Sequence, residues 1–195
     1  MYQLMYRPMY LPMSRSSPSG PCPARGLSAR AGESGVPLRV PPAAGADLAI
    51  PVVLGLFLIL GMFGVLAPST SLDWDTLAYH LAAPKWWIQQ GQITFISYDH
   101  HSNFPLAVDA LFILGQKIGG EAGAKAFSWC FYLFGIISIF GLARRSFGCR
   151  AAGWSALAFA SMPALLWESG TAYVDLANGL FTGLAIFFAG RFVAR

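Results

Sequence analysis

The sequence predicts an all-α integral membrane protein with four transmembrane helices. Three observations carry that expectation. Hydrophobic residues make up 55% of the chain and charged residues only 11%, against about 25% charged in an ordinary soluble domain. The mean hydropathy is +0.53. The charges flank long apolar runs instead of spreading over them, which is how membrane orientation signals are placed. The formal net charge is +4, but the basic residues do not form a polar surface patch, so nucleic-acid binding is excluded. Cys22, Cys130 and Cys149 are scattered, and their spacing matches no zinc site.

Residues 1–46 read as a disordered cytoplasmic tail. Eight of the 13 prolines lie there, from Pro8 to Pro42, with five arginines and many serines and glycines. No helical or strand period survives that composition. Residues 47–195 read as the membrane domain. Leu48 to Ala67 is almost wholly apolar, and twenty residues at 1.5 Å each span about 30 Å, the thickness of the hydrocarbon core. Spans are expected at about 48–67, 122–143, 151–167 and 173–190.

Between the first two spans lies an outward loop, 68–121, expected to carry two short interfacial helices. The first runs from Thr76 to Gln90, kinked by Pro84 and stopped at Gly91. Its adjacent Trp86 and Trp87 suit the headgroup level. The second runs from Leu106 to Ile118, where Leu106, Asp109, Phe112, Ile113 and Gln116 divide into two faces. Gly119-Gly120 ends it. Lys125, near the start of the second span, can snorkel to the interface.

Basic residues set the orientation. Arg7, Arg15, Arg25, Arg30 and Arg39 precede the first span, Arg144, Arg145 and Arg150 lie between the second and third, and Arg191 and Arg195 follow the fourth. That places ten of 13 on one side, which is cytoplasmic by the positive-inside rule. Both termini are therefore expected in the cytoplasm. Lys85, Lys117, Lys125, all three histidines and most carboxylates face outward.

The outward loop holds the chemistry. Asp73 and Asp75 sit two residues apart just past the first span. Each can cap the helix that follows. Equally, the pair can supply a catalytic carboxylate or oxygen ligands for a hard divalent cation such as Mg²⁺ or Mn²⁺. Glu168 and Asp175 return to the same face as a second acidic site. Asp175 either faces the bundle interior, as intramembrane carboxylates do, or simply begins its helix. Asp175 joins Asp73 and Asp75 as a candidate metal ligand. Asp99, His100 and His101 can ligate zinc or form a solvated loop. His80 can bind phosphate or sit at the interface.

The stretches Asp73-Trp-Asp-Thr-Leu-Ala-Tyr-His-Leu-Ala-Ala-Pro84, Ser102-Asn-Phe-Pro105 and Ala172-Tyr-Val-Asp175 resemble the N-terminal part of polytopic GT-C glycosyltransferases, family 39-like and related bacterial membrane proteins. The resemblance covers roughly residues 48–195. It implies transfer of a sugar from a polyprenyl-phosphate donor to an extracytoplasmic acceptor at a bacterial inner membrane. It makes Asp75 the matching catalytic carboxylate, Asp73 the second candidate, and Asp175 the match to a second acidic site; the candidate substrate-binding side chains beside them are Tyr79, His80, Lys85 and His101. Members of the family have more spans, and adjacent acidic residues where Trp74 stands here. The chain is therefore expected to be an N-terminal part whose partners are the bilayer, the lipid-linked donor and the C-terminal remainder of the same enzyme. The rival readings are a non-enzymatic module that binds lipid or partner helices, and a transporter fragment with Asp175 and Asn178 on its pathway.

Overall fold

The computed structural model describes residues 44–103 and 107–193. The chain divides into two units, 1–36 and 37–195, and the described residues belong to the second. The tail expectation for residues 1–43 lies outside the described residues. Within them every regular element is helical, as the composition predicts. Three helical segments are long and apolar enough to cross a membrane, not four: Leu48–Leu66, Ala107–Phe147 and Asp175–Val193.

Helix α1 is Ala44–Leu66, three residues longer at its start than the tail boundary implies. Its end is capped from a distance. Lys125 Nζ donates to the Ala67 carbonyl and also meets Glu121 Oε1 at 3.3 Å. Glu121 Oε1 in turn accepts from the Ser69 backbone N–H at 2.6 Å. Lys125 is only 1% exposed, so it does not snorkel to a surface. A buried ammonium needs acceptors, and the carbonyl end of α1, with its partial negative charge, supplies one.

After α1 the chain turns at Thr70–Asp73 and winds into a single π-helical turn, Thr76–His80, closed by Leu81 N–H to Thr76 O at 2.8 Å. Helix α2, Ala82–Gln90, follows. Pro84 is its third residue, within the first turn, where a backbone N–H has no partner to lose. Pro84 therefore does not kink α2: the irregularity falls before it, in the π turn. Gly91, at φ 70°, ends α2 as expected. Trp86 is partly exposed, but Trp87 is buried and donates through Nε1 to Thr94 O at 2.8 Å. It packs with Ala83 and Ile96 under the following loop. One of the two tryptophans is thus part of the fold's interior.

Helix α3, Ala107–Phe147, is a hairpin of two arms, 107–118 and 121–147, that reverse at Gly119 and Gly120. Gly120 sits at φ 61° and ψ −144°, a backbone state open in practice only to glycine. Beyond the turn the arms nearly touch. A Cβ on Gly115 would lie 2.5 Å from the Gly123 carbonyl oxygen and 2.7 Å from Ala124 Cα. The sequence places both glycines, but only the hairpin brings them together. The longer arm contains the second expected span.

The third expected span, 151–167, is broken. Helix α4 is Cys149–Ala160 and helix α5 is Pro163–Glu168. Proline disfavours helical backbone in the residue before it, and Met162 is extended at φ −66° and ψ 119°. Helix α6, Asp175–Val193, is the last.

The core lies where the longer arm of α3 meets α4. Tyr132 is fully buried and donates to Ala160 O at 2.7 Å. Trp129 donates to Leu58 O at 3.0 Å, tying the same arm to α1. Gly64 and Gly170 bring α1 and the turn after α5 into backbone contact: a Cβ on Gly64 would sit 2.9 Å from Gly170 Cα.

Gly123→Ala is expected to destabilise the protein by about 1–3 kcal/mol, because the added methyl meets backbone. Gly179→Ala on α6, where a Cβ meets open space, is expected to be neutral or stabilising. Thermal unfolding of both variants in detergent checks this, and equal melting temperatures would contradict the close-packed hairpin.

Candidate functional site

The π turn is the hub of the outward segment. A π turn adds one residue to a helical turn and re-aims the side chains around it. Here both ends of the turn are buried, Thr76 fully and His80 to 5% exposure. Thr76 Oγ1 accepts from the Ala172 backbone N–H at 3.1 Å. His80 Nδ1 lies 2.7 Å from Asp109 Oδ1, which reaches in from the shorter arm of α3. Gln116, two helical turns further along that arm, donates to Leu81 O at 2.9 Å. Two distant stretches, the shorter arm of α3 and the segment at Ala172, are thereby fixed to the π turn and its flank.

The turn Ser169–Val174 is fastened just as firmly. Ser169 Oγ donates to Leu166 O at 2.6 Å and Thr171 Oγ1 to Glu168 O at 3.1 Å. Ser128 Oγ donates to Tyr173 O at 3.3 Å from the longer arm of α3. These bonds bring Tyr173 up to the π turn, 6.1 Å from His80 between ring centres.

Neither candidate carboxylate caps the turn through its side chain. Asp73 is buried and its Oδ2 accepts from the Thr70 N–H at 3.0 Å, closing the turn before it. Asp75 makes no capping bond. Instead its carboxylate acts on the Tyr79 hydroxyl. Burial, then the charge and hydrogen bonding of Asp75, then the charge of Asp175 push Tyr79 up to about 12. Tyr173 is also raised, by burial first and by the charges of Asp75, Asp73 and Asp175. Both phenols are thus neutral at physiological pH. Glu168 is raised above the ordinary carboxylate range by burial and then by Asp175. The two acidic sites expected from sequence therefore share one electrostatic neighbourhood, centred on Tyr79 and Tyr173. Asp175 begins its helix: it is the exposed first residue of α6 and of that candidate span, where a carboxylate suits the helix dipole.

The expected substrate-binding group is assembled in part. His80, Tyr79, His101 and His100 form a column of rings, with successive centres 4.2, 4.2 and 3.8 Å apart. Tyr79 and His101 are almost parallel, at 5°. Trp74 meets Tyr79 and His101 edge-on at 6.4 and 6.3 Å. Lys85 lies on the exposed side of α2, and among the described residues it shares no hydrogen bond, ion pair or ring contact with this group. Asp73, Asp75 and Asp175 do not gather their oxygens around a common point. Among the described residues the one group whose ligand atoms all lie within 4.8 Å of each other is Asp99, His100 and His101. As placed, the three aspartates do not fit one divalent ion.

Asp109, Thr76 and Tyr173 are the members that sequence reasoning passed over. Asp109 carried a signal. It stands in the apolar run Ala-Val-Asp-Ala-Leu-Phe-Ile-Leu, and a carboxylate on a buried face requires a partner. Thr76 and Tyr173 carried none, since their roles follow from a contact 96 residues apart in sequence.

Compared with known protein families, curated proteins and solved structures, the chain matches none.

Glu168 provides a stability test. Its folded pKa is raised, so its contribution is complete below the ordinary value of 4.5 and is lost as pH rises through the folded pKa. Glu168→Gln carries no proton to lose. The melting temperature of the variant relative to the parent is expected to rise as pH increases across the acidic range, then to level off. A pH-independent difference in melting temperature would contradict the shared acidic neighbourhood.

Proposed function

We propose that this chain is the membrane-embedded acidic-site part of a glycosyltransferase that takes a sugar from a polyprenyl-phosphate donor. The observation that carries the proposal is the common environment of Asp73, Asp75, Glu168 and Asp175 around Tyr79 and Tyr173, beside the buried His80–Asp109 pair. The resemblance of the Asp73–Pro84, Ser102–Pro105 and Ala172–Asp175 stretches to the GT-C enzymes points to the same chemistry.

In this reading the acceptor hydroxyl attacks the anomeric carbon as the bond to the donor phosphate breaks. Asp75 takes the hydroxyl proton. The neutral Tyr79 hydroxyl donates to Asp75 and holds its carboxylate in place. A lipid phosphate leaves as a stable anion and needs little protonation. It does need positive charge nearby. The imidazole of His80, whose ring Asp109 orients, is the group placed to meet it. No step is routed through a metal held by Asp73, Asp75 and Asp175, because they do not converge on one ion.

The bilayer arrangement belongs to the same proposal. α1, the longer arm of α3, and α6 cross the membrane, and α4 with α5 as far as Trp167 forms a broken third crossing, which leaves Glu168 at the outer surface. Both termini face the cytoplasm, with the shorter arm of α3 and α2 at the outer surface of a bacterial inner membrane. The ten-to-three division of basic residues supports this orientation.

In a cysteine-free background, Tyr98→Cys, 76% exposed in the outward segment, is expected to react with an impermeant thiol reagent added outside. Ser146→Cys, exposed at the end of α3, is expected to react only after permeabilisation. The reverse pattern would overturn the topology and the outward site with it.

Asp75→Asn keeps the size of the side chain and removes the base. Since general-base catalysis contributes typically 10²–10⁴-fold, the variant is expected to insert normally and to transfer sugar at least about a hundredfold more slowly. Glu33→Gln in the tail serves as the carboxylate control. Parental transfer by Asp75→Asn would exclude it as the base, and loss of transfer in Asp73→Asn alone would move the role to Asp73.

A further inference from the structure

Apart from the carboxylates around Tyr79, the outward segment holds a second group of ligating side chains. We propose that Asp99, His100 and His101 form a binding site for a divalent transition-metal ion of the zinc class. Each offers one ligand atom, and all three atoms lie within 4.8 Å of one another. Two imidazole nitrogens and one carboxylate oxygen form a borderline donor set, which favours Zn²⁺, Ni²⁺ or Cu²⁺ over Mg²⁺ or Ca²⁺. Zinc bonds to nitrogen and oxygen are about 2.0–2.2 Å long, so ligands around a tetrahedral ion lie roughly 3.3–3.6 Å apart.

The loop that carries the group is built before any ion arrives. Ser102 is buried, its Oγ donates to Asp99 O at 2.7 Å and accepts from Ile96 N–H at 3.2 Å. Asp99 N–H closes a turn onto Ile96 O at 3.0 Å. Asp99 Oδ1 accepts from the His101 backbone N–H at 3.0 Å and lies 2.8 Å from His101 Nδ1. The face of His101 is covered by Tyr79, with ring centres 4.2 Å apart. Its orientation is therefore set by Asp99 at one edge and an aromatic plane on one face. His100 is exposed and the other two are half-buried, so an ion can enter from solvent and keep a position for water or a ligand.

The chain has three histidines, and His80 is committed to Asp109. Histidine-dependent metal binding thus has a single assignment. The full chain, purified without a polyhistidine tag in detergent, is titrated with Zn²⁺ against a chromophoric chelator, with millimolar Mg²⁺ present and absent. One Zn²⁺ per chain is expected, with an affinity unaffected by Mg²⁺. His100→Ala and His101→Ala are each expected to weaken binding by at least about tenfold. With Cu²⁺ as the probe, electron paramagnetic resonance is expected to report two coupled nitrogens in the parent and one in each variant. His100 is exposed, so His100→Ala remains informative where His101→Ala lowers stability. The proposal is overturned if the parent holds no Zn²⁺ against the chelator, if Mg²⁺ displaces it, or if His100→Ala binds like the parent. None of these outcomes depends on glycosyl transfer.

Discussion

His80 and Asp109 lie 29 residues apart in sequence and meet at 2.7 Å with both side chains almost out of solvent. That contact fastens the π turn to the shorter arm of α3, and through the glycine hairpin to the longer arm. Removing either partner would leave the other buried and unsatisfied, at a cost of order 1–3 kcal/mol or more. Tyr79 is the neighbour of His80 in sequence, and Asp75 acts on Tyr79. The placement of the acidic group therefore follows from where Asp109 holds His80. The Thr76 bond to Ala172 adds the second half of the site from a stretch almost a hundred residues on.

The same economy governs the apolar part of the fold. In hydrocarbon an unmatched backbone carbonyl has no water to turn to. Long side chains of the longer α3 arm reach across and satisfy carbonyls elsewhere: Lys125 on Ala67, Trp129 on Leu58, Tyr132 on Ala160. These bonds join α1, α3 and α4, two of them where a helix ends (Ala67 and Ala160) and one midway along α1 (Leu58). Among the described residues, Ser69 Oγ is the one buried side-chain polar atom with no partner. It sits where the chain leaves α1 for the outward segment.

Small residues set how closely these pieces approach. Gly115 with Gly123, and Gly64 with Gly170, let backbones touch, which draws the shorter α3 arm and the Ser169–Val174 turn inward. Carboxylates from two acidic stretches then act on the same pair of tyrosines. Burial first, and then the charge of Asp175, raise the affinity of Glu168 for its proton, and the nearby phenols stay neutral. The fold thereby supplies hydrogen-bond donors and proton acceptors side by side.

Local chemistry alone determined the all-helical class, the apolar run of α1, the stop at Gly91 and the reversal at Gly119-Gly120, because each depends on neighbouring residues only. The acidic character of the outward loop was equally legible. The break at Met162 was also written locally, in Pro163, but apolar periodicity outweighed it and a continuous span was expected. Tertiary structure decided the rest. Pro84 was harmless because the π turn moved it to the first turn of α2. Lys125 was buried because the end of α1 came to it. Trp87 turned inward because a loop folded over it. Asp109 joined His80, and Thr76 joined Ala172, through contacts that no local window contains. A sequence specifies which groups need partners, since burying a polar group alone is costly. Which partner each one finds is settled only when distant segments pack.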